Sequence, residues 1–412
     1  MSKSYDKNNG PTRPDDANDA KEAVMHRTRA IEVSVPTNRV LDVLVIGGGQ
    51  AGLAMGNHLR RGGQRFQIVD AGAEIGEAWR RRWDSLRLFT PTQYDALPGL
   101  PFPAPPDTYP GKDDVAHYLE TYAAVFELPV RLNTKVTSLT RSDGGYVARA
   151  GDDAFEARQV VVATGPFQVP FVPPIAAGLD PDVAQLHSAD YRNPGAVPPG
   201  RILVVGAANS GCQIALELSA TRSVELSVGQ RLPTIPQRPL GRDVWWWATR
   251  LGLDRVTAAS RLGRRLAGRD QVIGSGPRQL ARRHGVRLRP RVTGVTGRTV
   301  AFADGGAAEY DAVVWATGFR ADHAWIDVPG VHDAQGRLVH ERGATPSPGL
   351  YALGLPWQHT RTSALLGWVA QDAAYVAERI ASMSRPRREP TGSPAEDGSS
   401  TAGYGPAVAA RI

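Results

Sequence analysis

Cysteine is almost absent from this chain: Cys212 is the only one in 412 residues. A single thiol excludes an internal disulfide, a cysteine-built zinc site and any Cys-x-x-Cys redox pair. It also agrees with a reducing compartment. Long apolar runs are missing too, and no window reaches the about 20 residues needed to span a bilayer. Residues 1–39 mix both charges with Asn, Pro and Asp and contain no apolar core of a secretory signal. A cytoplasmic chain with no membrane partner is therefore the expectation, and no metal is assigned. Hydrophobic residues at 42% and charged residues at 22% are ordinary for globular domains. The length allows two or three domains, each with its own core.

Charge is unevenly placed. The 48 basic and 41 acidic residues leave a formal +7. Between residues 261 and 298, however, stand eleven arginines and one acid, Asp270, so the surplus is local. A nucleic-acid arm would interleave such charge with aromatics or run along one continuous helix. This stretch has no aromatic, and Gly274-Ser-Gly-Pro277 interrupts it. It reads as a solvated strand-and-loop portion near a nucleotide entrance, with no nucleic acid as partner.

One pattern occurs twice. The apolar run Leu41-Asp-Val-Leu-Val-Ile46 leads into Gly47-Gly-Gly-Gln-Ala-Gly52 and a helical stretch. Arg201-Ile-Leu-Val-Val205 leads into Gly206-Ala-Ala-Asn-Ser-Gly211 and a second one. Buried strand, glycine turn and helix open a βαβ unit that takes a dinucleotide pyrophosphate on helix N–H groups. Gly47 permits the tight turn, Gly49 the approach of the phosphates, and Gly52 the close packing of helix on strand. Asp70 ends the next strand, Phe66-Gln-Ile-Val69, where an acid meets a ribose hydroxyl. In the second unit Ala208 replaces the middle glycine, and Val224-Glu-Leu-Ser-Val228 is followed by Arg231 with no acid. A base there suits a 2′-phosphate, hence NADPH. Two sites, one marked by an acid and one by a base, imply FAD at the first and NADPH at the second.

Together with these turns, several stretches resemble the class B flavin-dependent monooxygenases, and within them the YUCCA-like branch. They are Trp79-Arg-Arg-Arg-Trp83 continuing to Pro91, Tyr109-Pro-Gly-Lys112 with His117-Tyr-Leu-Glu120, Ala163-Thr-Gly165, Arg231 to Arg238, Ala316-Thr-Gly-Phe319 and Gly349 to Gly354. The resemblance covers about residues 41–380. It implies that NADPH reduces FAD and that oxygen is captured as a C4a-(hydro)peroxyflavin. One oxygen atom then enters a small organic substrate and the other leaves as water. Two departures stand out. Pro181 and Val183 occupy positions that are Phe and Gly in the family's pattern ending in His187 and Tyr191. Pro91 stands where many animal-type members carry an Asn, leaving Gln93 as the nearest amide.

The expected fold is α/β, with two Rossmann-like dinucleotide-binding domains and the NADPH domain inserted into the FAD domain. The boundaries are a leader over 1–39, FAD domain over 40–187 and 316–383, NADPH domain over 188–315 with an inserted helical segment at 240–279, and a tail over 384–412. Gly47, Gly49, Gly52 and Asp70 are expected to hold FAD, and Gly206, Ser210, Gly211 and Arg231 to hold NADPH. Gln50, Ala51, Trp79, Arg87, Thr164, Gly165, Ala208, Asn209, Thr317, Gly318 and Gly354 are further expected cofactor contacts. Gln93 and His359 are the candidate catalytic side chains. Trp245-Trp-Trp247 either walls a substrate pocket or packs the insert onto the body. Besides oxygenation, an NADPH oxidase releasing hydrogen peroxide and a flavin-binding sensor remain open; the oligomeric state and substrate are not legible.

Overall fold

The computed structural model describes residues 40–266 and 271–384. The expected leader, and the expected tail beyond Ser384, lie outside the described residues. Strand β1 (Leu41–Ile46) pairs in parallel with β2 (Phe66–Val69) on one side and with Asp153–Val162 on the other. A strand flanked and covered on both faces must be apolar along its whole length, which is why Val43, Leu44 and Val45 are all fully buried. Helix α1 (Gln50–Arg61) returns over the sheet, burying Leu53, Ala54, Met55 and Leu59. The sheet has eight strands: Ile326–Asp327, Ser138–Ser142, Gly145–Ala150, Asp153–Val162, β1, β2 and Val130–Arg131 in order, with Leu350–Ala352 also on Asp153–Val162. Two helices, Lys112–Val125 and Val369–Ser384, pack beside α1 on its face. The chain thus returns to this sheet after a long excursion.

That excursion builds a second sheet of five parallel strands. They are Arg287–Arg289, β4 (Ser223–Ser227), β3 (Arg201–Val205), Ala312–Trp315 and Ala184–His187. Helix α2 (Asn209–Ser219) links β3 to β4. The chain is therefore α/β, with one Rossmann-like unit set within the other.

Three expectations change in detail. The boundary at 187 falls too late, because Ala184–His187 pairs with Ala312–Trp315 in the second sheet. The crossing lies instead beside Val169–Pro170, which is antiparallel to the return crossing at Phe319–Arg320. Ala-Gln-Leu-His at a sheet edge carries too little apolar signal to be seen as a strand. The segment 240–279 is not simply helical. It holds helices Val244–Arg250 and Arg261–Leu266 and a strand, Val272–Ile273, paired with Thr234–Ile235, while Pro277 already opens the helix Pro277–His284. Residues 267–270 lie outside the described residues.

The arginine stretch, finally, is neither all strand and loop nor all solvated. Arg289 and Arg287 approach the buried Glu225 at 2.5 and 3.6 Å, and Arg298 meets Asp311 at 2.6 Å. These arginines tie strands of the second unit together.

Trp245 is buried at 4% exposure and stacks on Phe89, with Trp368 tilted against it at 5.1 Å. Its indole N–H donates to the Phe89 carbonyl at 2.9 Å. Asp243 accepts from the Tyr109 hydroxyl at 2.6 Å, and the Ala258 amide donates to the His359 carbonyl at 2.7 Å. The insert is thus docked on the first unit. Among the described residues no helix is long and apolar enough to cross a membrane, and no His, Cys, Asp or Glu group could hold a metal.

Candidate functional site

The first glycine turn is dictated by backbone space. Gly47 sits at φ +113°, and a Cβ there would lie 2.5 Å from the Ala163 carbonyl oxygen. A Cβ on Gly52 would lie 1.8 Å from the Gly47 carbonyl oxygen, whereas one on Gly49 would meet nothing within 4 Å. Glycine at 47 and 52 is thus needed for the fold, while Gly49 faces open space. Helix α1 begins at Gly49 with no side-chain cap, so its first-turn N–H groups are left for an anion. Asp70 is fixed at the tip of β2: its Oδ2 accepts from the Gly48 amide at 2.5 Å and its Oδ1 from the Gly72 amide at 2.7 Å.

These groups open onto a cleft of about 550 Å³. Gly47, Gly49, Gln50, Ala51, Asp70, Trp79, Arg87, Thr164, Gly165 and Gly354 all line it. Gly52 lies behind the turn as its packing contact. Gln50 donates to the Ala364 carbonyl at 3.0 Å, and Gly354 packs close to Ala51, so the returning chain closes the turn. Arg81 and Arg82, two arginines of the Trp79–Trp83 stretch that the sequence reading did not single out, also line the cleft. The Arg82 guanidinium lies over Phe167 and Phe319, at 5.7 and 5.2 Å. Burial, then neighbouring Arg192, pushes its pKa below the usual guanidinium range. Two aromatic faces and an uncapped helix start beside three arginines suit a long, flat, anionic molecule.

The second turn repeats the geometry. Gly206 lies at φ +107°, and a Cβ on Gly211 would lie 1.9 Å from the Gly206 carbonyl oxygen. Ala208 begins α2 in an extended conformation without a side-chain cap; its methyl is accommodated. Asn209 and Ser210 line the same cleft as the first turn. The Asn209 amide is committed to the insert, accepting from the Ile273 amide at 2.9 Å and donating to the Gln271 carbonyl at 3.3 Å. Arg231 is exposed beyond the end of β4.

Other sequence candidates fall away from the cleft. Gln93 is exposed, and its amide both donates to and accepts from Asp107 at 2.8 Å, so it serves the Pro-rich loop rather than the cleft. His359 lines neither the cleft nor the smaller cavity beside it; its backbone N–H donates to Ser363 Oγ and burial lowers its pKa. The Thr317 hydroxyl donates to the Phe171 carbonyl, and the Gly318 carbonyl is 3.0 Å from His187 Nε2. These two therefore hold the crossing between the units. His187 Nδ1 accepts from the Ala189 amide and its ring stands edge-on to Phe319, which makes it part of the same joint. Cys212 is buried, and that burial pushes its thiol up to about 12.

Two sheets, one mixed and one parallel, each presenting an uncapped glycine-turn helix to one cleft, define an oxidoreductase of the two-dinucleotide type. Residues 44–235 match the model described as "Pyridine nucleotide-disulphide oxidoreductase"; a dithiol reaction is closed to this chain by its single, protonated cysteine. The sequence is 44% identical to an uncharacterized CzcO-like oxidoreductase of Geobacillus kaustophilus, over 83% of this chain and 98% of the relative. It is 27% identical to the indole-3-pyruvate monooxygenase YUCCA8 of Oryza sativa, over 74% and 81%. The solved flavin-containing monooxygenase from Stenotrophomonas maltophilia superposes with a TM-score of 0.70 at 30% identity, covering 84% of this chain and 99% of that one. The chain belongs to the class B flavin-dependent monooxygenase family.

Proposed function

We propose that the protein is an NADPH-dependent FAD monooxygenase: one atom of O₂ enters a small organic substrate, the other leaves as water, and NADPH supplies the two electrons. The observation that carries this reading is the meeting of both glycine turns at one cleft, which Asn209 and Ser210 line together with Gly47–Ala51. FAD fits the first turn, through the α1 amides and Asp70, and NADPH the second, through the α2 amides and Arg231. Bound there, the flavin supplies electron storage and oxygen activation. The chain's own work is positional. Asp70, held by two backbone amides, presents its remaining lone pairs to a ribose, and Phe167, Phe319 and Arg82 wall the cleft.

Rapid mixing of the NADPH-reduced protein with oxygen tests the reading. A transient spectrum distinct from oxidised and reduced flavin, with little hydrogen peroxide per NADPH once a substrate is present, is expected. Stoichiometric peroxide under all substrates would instead identify an oxidase.

Replacing Arg231 tests the nucleotide assignment. Loss of one charge-assisted contact to a phosphate is expected to raise KM for NADPH roughly tenfold in Arg231→Gln, leaving KM for NADH nearly unchanged. Equal effects on both would remove Arg231 from the site.

A further inference from the structure

The outward side of the insert differs from the rest of the surface. All four exposed leucines among the described residues lie in it: Leu240, Leu251, Leu253 and Leu262, at 89, 64, 48 and 47% exposure. Leu240 shows its side chain to water from a backbone at φ +53°, a conformation disfavoured for leucine. The fold itself gains no burial from that arrangement.

Charge on this side has one sign. Every exposed charged residue of 240–266 is an arginine: Arg242, Arg250, Arg255, Arg261, Arg264 and Arg265. The two acids of the segment are buried; Asp243 accepts from Tyr109 and Asp254 lies beside Trp368. Arg242 lies over Trp246 at 5.4 Å and Arg264 donates to the Ala259 carbonyl, but none of the six meets a carboxylate among the described residues. Arginines of the second sheet do, at Glu225 and Asp311. Each exposed leucine has one of the six within two positions along the chain.

Leucines interleaved with unpaired cations call for a cover that is anionic at its surface and apolar beneath. Residues 1–39 and 385–412 do not complement them, since bases exceed acids there by 7 to 6 and 4 to 3. A second copy would set six arginines against six. A protein interface gathers its apolar residues at a charge-depleted centre, whereas here they alternate with charge. An anionic bilayer has the required order, with phosphates at the surface and acyl chains just below. Trp246 and Trp247, half-buried in the same segment, are of the type enriched at that depth.

We propose that residues 240–266 form a peripheral docking surface for an anionic membrane, the arginines meeting headgroup phosphates and the leucines entering the acyl boundary. The expectation of no membrane partner rested on the missing spanning segment, which a surface contact does not require. Docking of this kind is independent of the chemistry in the cleft.

Cosedimentation of the purified full-length protein with vesicles tests it, using phosphatidylcholine alone and an equal mixture with phosphatidylglycerol. Binding to the mixed vesicles roughly 100-fold tighter, and weakening as salt is raised, is expected. Arg250→Gln with Arg255→Gln and Arg261→Gln should lower that affinity roughly 100-fold. Leu251→Ser with Leu253→Ser should lower it roughly tenfold and leave the salt dependence unchanged. If either variant does not fold, hydrogen–deuterium exchange on the wild type decides, with protection by the mixed vesicles expected within 240–266. Equal binding to both vesicle types, or protection confined to another segment, would overturn the proposal. So would binding to neither, the outcome that an acidic protein partner would give.

Discussion

Gly211→Ala is expected to yield a protein that keeps its FAD, is still reduced by dithionite, and is reduced by subsaturating NADPH up to roughly 100-fold more slowly than the wild type. The added Cβ would stand 1.9 Å from the carbonyl oxygen of Gly206. That atom is backbone, at the start of a turn whose φ of +107° already limits it to glycine, so no side chain can swing aside. The only relief is for α2 to back away from β3, carrying its first-turn amides and Ser210 out of reach of a phosphate. Overpacking of this kind costs about 1–3 kcal/mol, and a 2.7 kcal/mol loss of binding is roughly 100-fold. Gly52→Ala makes the mirror experiment. There the Cβ meets the Gly47 carbonyl oxygen at 1.8 Å, and the expected loss is of FAD itself, visible as a colourless preparation. If Gly211→Ala is reduced by NADPH at the wild-type rate, the second turn is not the NADPH site.

Asp95→Asn should stabilise the protein in mildly alkaline buffer. Asp95 is fully buried, with Thr90 Oγ1 donating to its Oδ1 at 2.6 Å and its Oδ2 unpartnered among the described residues. Burial pushes the carboxyl up from 3.8 to about 7, partly opposed by the Thr90 hydrogen bond. The folded protein thus holds a proton that the unfolded chain releases near pH 4. That contribution is fully present below pH 3.8 and is lost as pH rises to about 7, amounting to roughly 4 kcal/mol over the whole window. Asparagine keeps the acceptor for Thr90 and removes the ionisation. Melting curves should show the wild type losing Tm between pH 4 and 7 relative to the variant, with the variant more stable at pH 8. Parallel curves across that range would mean that Asp95 is ionised at little cost. The Tyr118 hydroxyl, whose own pKa is raised by burial and further by Asp95, is paired with the Leu97 amide and the Leu100 carbonyl and does not rescue the carboxylate.

What could be read from the sequence follows how locally each feature is encoded. The two glycine turns were legible because strand, turn and helix are contiguous and the steric demand falls on a few residues: 47, 52, 206 and 211. Asp70 was legible because it ends the next strand. By contrast, Gln93 looked well placed only because it lies close in sequence to Pro91; the fold turns its amide outward onto Asp107. His359 stands near the Gly354 turn along the chain but not in the cleft. Arg82 needed the fold to single it out among Arg80, Arg81 and Arg82, since what distinguishes it is the pair of phenylalanines above it, one of them contributed by Phe319 far along the chain. The edge strand Ala184–His187 has only pairing to define it, and pairing is invisible in a single segment.

The docking of the insert has a mechanical consequence. The two chain crossings, Val169–Pro170 and Phe319–Arg320, run side by side and by themselves would form a single pivot. Trp245 and Asp243 fasten the second unit to the first through Phe89, Trp368 and Tyr109, away from that pivot in the chain. Pivot and brace together make a closed frame, and a closed frame stiffens against wide swinging even when each joint alone is weak.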